Sequence, residues 1–485
     1  MFKRLDVHAV IDEATAQFEK CWEFLANLKN GKRLDDTDVT ILQFQPILAE
    51  ALSKLSSVYR RIAEEKDATI QRKADLAPSW FARRMRFLSS QQDVVRRTLS
   101  VGKSIGDGFA WFFYQNNIDH LNEHLKEPEQ LLIPSGMGGF AELETVKKIP
   151  VAAGHFLLYH GITSILRLGD FSLISIKDFK VITVGEIKSG KPADGKLLIQ
   201  MIFPCDPVTG TTSSGSVNSN QNRDIKLPPH VLSPSARDRL NRQIQRMAVA
   251  HSKLTLRPDK HLSYEIEDRY SRFDRFLTDI RPGRISFMHM GKSTLLLGLP
   301  MRQTSLYARV AKSSKTDWKK KFEGLQREII EIIIPGRQDN LVYISSWFYN
   351  EYATIAHPPG MTHPIWWPLS PENLHRIIFH EIMIFTIYNP AHLFQGLEHE
   401  GFTVTEVAKS DFTAKKQIAD RIIELTGISH FCRFIQQYFL SEGDVIAILQ
   451  NALDQSGSVT ADGSSKIALQ FVQRFGQPQG SENPG

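Results

Sequence analysis

The sequence predicts an α+β chain, and three observations carry that prediction. Residues 1–130 repeat apolar side chains at helical spacing. Residues 155–203 are dense in Ile, Val, Leu and Phe between short polar breaks, which is the pattern of strands. From about residue 262 the two patterns alternate. The chain has 485 residues, more than one ordinary domain. Composition divides it into a helical N-terminal region 1–130, a core 135–260 with a Ser/Gly/Thr/Asn-rich loop at 205–224, and a mixed α/β C-terminal region 261–475. A tail, 476–485, is expected to be disordered.

The helical region opens with Val7–Leu28, whose apolar residues recur at helical spacing. Pro46–Lys66 follows, with Leu48, Leu52, Leu55 and Val58 on one face. A long segment runs from Ser79 to about Ser104, and the piece Ile105–Gln115 carries the aromatic cluster FAWFFY, read as packing core. After Pro134 four strands are expected: His155–Tyr159, Thr163–Ile176, Lys180–Ile187 and Lys196–Phe203. Turns at Lys177-Asp178 and Lys191–Gly195 make neighbours antiparallel. A helix should start at Ser233, with Pro234 in its first turn, and run to about Ala250. Beyond it, helices are expected at Tyr264–Asp279, Asp317–Ile333, Pro371–Ile387, Ala414–Leu425 and Phe431–Leu449. Strands are expected at Arg284–Met290, Thr294–Leu299, Leu341–Trp347 and Phe402–Val407.

With 42% hydrophobic and 23% charged residues the chain has the means to bury real cores. A net charge of +6 permits a polyanionic partner without requiring one. Cys21, Cys205 and Cys432 lie far apart and form no CxxC pair, which argues against a disulfide framework or a structural zinc and for a reducing compartment. The N-terminus lacks the apolar core of a signal peptide, and no stretch approaches the roughly 18 apolar residues of a membrane span. A cytoplasmic protein with no membrane partner is the resulting expectation.

The chemistry concentrates in Leu168–Lys191, LGDFSLISIKDFKVITVGEIKSGK. Asp170 follows Gly169 at the start of one strand, and Glu186 and Lys188 close the next. An antiparallel hairpin sets the start of one strand beside the end of its partner, so Asp170 and Glu186 can converge. Alternation places Glu186 and Lys188 on one face and turns Ile187 into the core. Two carboxylates suit Mg²⁺, a hard cation that prefers oxygen ligands, and the backbone carbonyl of Ile187 is placed to add a third. Such an ion polarises a phosphate and activates water, which Lys188 would orient. Glu64–Lys66, Asp178–Lys180 and Asp317–Lys319 repeat the spacing but close no apolar strand.

On these residues the segment resembles the PD-(D/E)xK nuclease superfamily, the restriction-endonuclease-like fold. Asp170 matches its first acid, with Gly169 in place of the nominal proline. Glu186 and Lys188 match its E-x-K. The resemblance covers roughly Glu142–Ala250 and implies an αβββαβ core and Mg²⁺- or Mn²⁺-dependent cleavage of DNA, or less often RNA. It also implies a further acid on the first helix, for which Glu142 and Glu144 are candidates and Glu144 is chosen. A glutamine on the second helix would be Gln243, with Gln245 as the other candidate. His160 precedes the Asp170 strand and would join as an accessory residue. Lys191, Arg239, Arg242 and Arg246 would contact DNA phosphates. A second basic set, Arg83, Arg84, Arg86, Arg96, Arg97 and Lys103, lies on Ser79–Ser104.

The expected function is hydrolysis of DNA phosphodiester bonds by metal-activated water, placed by analogy in defence against foreign DNA or in repair. The alternative is a catalytically inactive nuclease-like module that binds nucleic acid or protein. The flanking regions would serve homo-oligomerisation or a protein partner. Two other motifs fail. Gly291–Thr294, GKST, lacks the upstream glycine of a P-loop, and His380-Glu381 lacks the second histidine of a zincin.

Overall fold

The structure, a computed structural model, describes residues 6–30, 42–114, 118–128, 130–148, 151–152, 154–176, 180–189, 199–203, 216–217, 242–249, 270–290, 294–315, 343–346, 365, 369–388, 399, 402–408, 411–418 and 421–422. Helices and antiparallel sheets are combined, which makes the chain α+β. It forms two compact units, Met1–Arg257 and Pro258–Gly485.

In the first unit, α1 (Val7–Lys29), α2 (Phe44–Gln71) and α3 (Pro78–Tyr114) pack together, followed by α4 (Ile118–Leu125) and α5 (Gly136–Lys148). Asp6 caps α1 by accepting from the Ala9 N–H at 3.1 Å. The two pieces expected over Ser79–Gln115 are one 37-residue helix, and Gly102 and Gly106 within it are sites of close approach, not breaks. A Cβ on Gly102 would meet the Phe18 ring at 2.5 Å, and one on Gly106 would collide with the Ile162 carbonyl oxygen. The aromatic cluster is core, as its composition predicts: Phe109 stacks on Phe44 and Phe113 meets Phe156 edge-on.

The sheet is an antiparallel meander in the order β1 to β6: Val151–Ala152, His155–Tyr159, Phe171–Ser175, Val181–Ser189, Ile199–Ile202 and Ser216–Val217. Among the described residues β1 pairs with β2 at Phe156 and His155 alone. Gln45 of α2 replaces the missing partner further along, donating to the Leu157 carbonyl and accepting from the Tyr159 N–H, both at 2.8 Å. A buried amide thereby satisfies an unpaired strand edge and ties the helices to the sheet. Leu157, Phe171, Leu173, Ile187 and Phe203 form the core on one side of the sheet.

The strand expected over Thr163–Ile176 begins only at Phe171. A 3-10 turn, His160–Ile162, leads into an irregular segment whose backbone groups are held by side chains in place of a ladder. Asp107 accepts from the N–H groups of Ser164 (2.6 Å) and Ile165 (3.1 Å), and the His124 ring accepts from that of Leu168 (3.1 Å). Helix α6, residues 242–249, packs Met247 against Leu168 and Val184. The rest of the helix expected from Ser233, and the loop 205–224 apart from Ser216–Val217, lie outside the described residues. Among the described residues no strand after α6 joins this sheet.

The second unit has a four-stranded antiparallel sheet in the order β7-β8-β10-β9 (Ser286–Met290, Thr294–Pro300, Ile382–Tyr388, Tyr343–Ser346), with α7 (Tyr270–Asp279), α8 (Leu306–Lys315) and α9 (Pro371–Ile378). The helix expected over Pro371–Ile387 stops at Ile378. His380 takes a positive φ of 58°, and the Glu381 N–H closes back on the Arg376 carbonyl at 2.7 Å, a Schellman-type end. The β-branched run that follows pairs as β10 with β8 and β9. The helix expected over Ala414–Leu425 is also corrected. β11 (Phe402–Ala408), β12 (Asp411–Ile418) and β13 (Arg421–Ile422) form an antiparallel meander, so cross-strand pairing overrides local helix propensity. The expectations at 317–333, 431–449 and 476–485 fall outside the described residues. Among the described residues no helix is long and apolar enough to cross a membrane.

Candidate functional site

β3 and β4 pair with Phe171 opposite Gly185, so the residue before β3 lies beside the end of β4. Asp170 is held there twice. Its N–H donates to the Gly185 carbonyl at 2.9 Å, and its Oδ2 accepts from the Ile187 N–H at 2.7 Å. The N–H and C=O of a strand residue leave the same edge, so the Ile187 carbonyl opens on the Asp170 side too. Ile187 packs in the core, while Glu186 and Lys188 meet on the other face, Nζ to Oε1 at 2.5 Å.

Asp170 and Glu186 line one cavity of ≈ 70 Å³ with Glu142, Tyr159, His160 and Gln243. Of the two candidate acids on α5, the structure brings in Glu142. Glu142 belongs with Thr145 and Val146 on the buried face of the helix, and its Oε2 accepts from the Tyr159 hydroxyl at 2.8 Å. Glu144, the acid chosen from sequence, lies off that face and pairs with Lys148 at 2.8 Å. The helical period was the signal that separates them.

Burial raises the Asp170 carboxyl well above the usual carboxylate range, and the charges of Glu186 and Glu142 push it further. The Ile187 N–H and Lys188 oppose them. Burial raises Glu142 as well, offset by the Tyr159 hydroxyl and reinforced by Glu186. Glu186 is 4% exposed, and its Oε2 meets no hydrogen-bond donor among the described residues. A buried carboxylate oxygen left bare is costly. Glu142, Asp170 and Glu186 therefore share one cavity in which their like charges oppose one another.

Among the described residues no group of three or more His, Cys, Asp or Glu side chains is arranged to hold a metal ion. The donor set suggested by the hairpin is two carboxylates and a backbone carbonyl. That set suits Mg²⁺, which usually keeps several waters and takes one or two carboxylates.

His160 reaches the cavity, but its ring is engaged: Nδ1 lies 3.1 Å from the Gly169 carbonyl oxygen and Nε2 2.6 Å from Ser172 Oγ. Gln243 enters the cavity from α6. Arg242, Gln245 and Arg246 line a neighbouring groove of ≈ 650 Å³ with Glu123, Lys126 and Glu127, and Arg246 pairs with Glu127. Arg239 and Lys191 lie outside the described residues. In the basic set on α3, Arg83 and Arg86 are exposed whereas Lys103 is 1% exposed and donates to the Thr163 carbonyl at 3.1 Å. Lys103 therefore cannot meet a solvent-borne phosphate.

The GKST turn also fails structurally as a phosphate loop. β7 and β8 pair with Met290 opposite Thr294, so Thr294 opens a strand where a P-loop requires a helix. Compared with known proteins, the chain matches no family model, no curated protein and no solved structure.

Proposed function

We propose that the first unit is a divalent-metal-dependent nuclease of the PD-(D/E)xK kind, acting on DNA. The observation that carries this reading is the convergence of Glu142, Asp170 and Glu186 in one cavity, with Lys188 on Glu186 Oε1 and no donor on Glu186 Oε2 among the described residues. Asp170, Glu186 and the Ile187 carbonyl are the groups that would hold Mg²⁺ or Mn²⁺. When bound, such an ion supplies charge neutralisation at a phosphate and a more acidic water.

The chain's own residues would do the rest. Lys188, half-exposed beside Glu186, presents an ammonium that can orient the attacking water and offset charge building on the phosphate. Glu142, held by Tyr159, keeps an acceptor fixed in the cavity wall. The cavity admits an ion and its water but no nucleotide, so the strand itself would lie in the adjoining groove, where Arg242 and Arg246 of α6 meet the backbone. Assignment to the restriction-endonuclease-like fold and a role in defence or repair belong to the same proposal. The antiparallel meander behind α5, with α6 after it, supports the assignment.

The test is incubation of the full chain with plasmid and Mg²⁺ or Mn²⁺. Nicking or linearisation that EDTA stops and Lys188→Ala abolishes is the expected result. DNA binding with no cleavage under any divalent cation would replace this reading with that of a non-catalytic nucleic-acid-binding module.

A further inference from the structure

α3 buries Lys103, Asp107 and Tyr114, and their spacing of four and seven residues puts them on one helix face. All three contact the chain between Thr163 and Ser172. Lys103 donates to the Thr163 carbonyl at 3.1 Å. Asp107 accepts from the Ser164 N–H and hydroxyl at 2.6 and 2.5 Å and from the Ile165 N–H at 3.1 Å. The Tyr114 hydroxyl lies 2.6 Å from Ser172 Oγ.

The Tyr114 contact belongs to a chain whose direction chemistry fixes. The Gly169 carbonyl can only accept, so His160 carries its proton on Nδ1 and accepts at Nε2 from the Ser172 hydroxyl. Having donated, Ser172 Oγ accepts from Tyr114. The Leu168 N–H can only donate, so His124 is bare at Nδ1 and donates from Nε2 to the Tyr114 oxygen at 3.0 Å. The His160 proton faces the Leu168 carbonyl as well as that of Gly169, so both ends of the chain fall on Leu168 and Gly169, the two residues before Asp170. Burial keeps both rings neutral: it holds His160 down to about 3 and His124 well below its ordinary value.

We propose that His124, Tyr114, Ser172 and His160 are positioning residues of the site, an ordered hydrogen-bond relay that sets Asp170 in place before substrate or cation arrives. The assignment of Asp170 as a metal-binding acid rests on the nuclease reading above. The relay itself does not.

Nitrogen-15 NMR of the histidine-labelled full chain tests the relay directly. Nδ1–H on His160 and Nε2–H on His124, both neutral, are expected at neutral pH, and Tyr114→Phe should shift both rings. The opposite tautomer at either ring overturns the relay, whether or not the protein cleaves DNA. In the cleavage assay Tyr114→Phe should lower kcat by roughly 10–100-fold, as loss of an outer hydrogen bond to a metal site does. KM for DNA should stay within about twofold, because substrate-contacting groups are untouched. Weakening of Mn²⁺ binding by roughly 10–100-fold is the matching expectation by calorimetry, and it stands even if the wild type proves not to cleave. Ser172→Ala should reproduce these losses and serves if Tyr114→Phe fails to fold. Unchanged kcat and Mn²⁺ affinity in a folded variant would overturn the positioning role.

Discussion

The backbone N–H of Ile187 donates to Asp170 Oδ2 at 2.7 Å, so the residue between Glu186 and Lys188 grips the acid that precedes the neighbouring strand. The carboxylate thus has one oxygen committed to the fold and one left for chemistry. Asparagine keeps the committed acceptor and removes the charge that Glu186 and Glu142 repel. Asp170→Asn is therefore expected to fold, to keep its melting temperature without divalent cation, and to lose cleavage. It should also lose stabilisation by Mn²⁺, which for a single site at 100 times Kd amounts to about 2.7 kcal/mol. Thermal unfolding with and without Mn²⁺ reads the difference. A full Mn²⁺ shift in the variant would remove Asp170 from the ligand set.

Lys188 is the partner of Glu186 Oε1 and so competes with any cation for it. Lys188→Met frees that oxygen while removing the ammonium that acts on water and phosphate. Cleavage should fall by roughly 10²–10³-fold, the scale of losing one preorganised charge-stabilising group. Calorimetry should find Mn²⁺ binding retained or tightened. Loss of both together would mean that Lys188 holds the site's shape and has no separate catalytic part.

Asp107 gives a pH prediction of defined sign. Burial pushes its carboxyl up to about 6, against its hydrogen bonds from Ser164 and Ile165 and the charge of Lys103. A folded-state value above the unfolded one means the folded protein binds the proton more tightly. The resulting stabilisation is complete below about 4, the ordinary aspartate value, and is lost as pH rises through about 6. In the neutral form the contact with Ser164 Oγ persists with the donor reversed. Relative to Asp107→Asn, the wild type should lose on the order of 3 kcal/mol between pH 4 and pH 7. Urea unfolding of both proteins at the two pH values measures this. A wild type that gains relative to the variant would show that the hydrogen bonds and Lys103 outweigh burial, leaving the carboxylate charged.

The parts of the site legible in the sequence are those set by strand alternation. Glu186 and Lys188 flank a buried Ile187, and the hairpin returns Asp170 beside them, because period-two geometry and a short turn leave little freedom. The choice between Glu142 and Glu144 needed the phase of α5, which a short helix with several glycines displays weakly. Residues 163–170 look like the start of a strand because Ile165, Leu166 and Leu168 lead into the apolar run after Asp170, yet side chains more than forty positions away hold the N–H groups of Ser164, Ile165 and Leu168. Lys103, Asp107 and Tyr114 left a trace in polar residues recurring on one face of the buried C-terminal part of α3. Their partner, the segment Thr163–Ser172, is a tertiary fact. In the second unit Ile382–Tyr388 lacks any local mark that separates a buried helix from a buried strand. The left-handed turn at His380 and pairing with β8 decide it.

Gly169 stands where the nuclease pattern has proline, and its φ of +74° explains why proline cannot occupy it, since a pyrrolidine ring fixes φ near −65°. A Cβ here would also lie 2.6 Å from the Gly185 carbonyl oxygen, the acceptor of the Asp170 N–H. Gly136 offers a control, because its φ of +77° is similar but a methyl group added there would meet nothing within 4 Å. Gly136→Ala should cost about 1 kcal/mol, the conformational penalty alone. Gly169→Ala adds a backbone collision and should cost about 2–3 kcal/mol. It should also depress cleavage out of proportion to its stability, because relief of the collision moves Asp170 away from Glu186. Chemical denaturation of the two variants, with cleavage assayed well below their melting temperatures, separates the effects. Equal destabilisation, or full activity in Gly169→Ala, would show that the close approach at residue 169 has no part in delivering the acid.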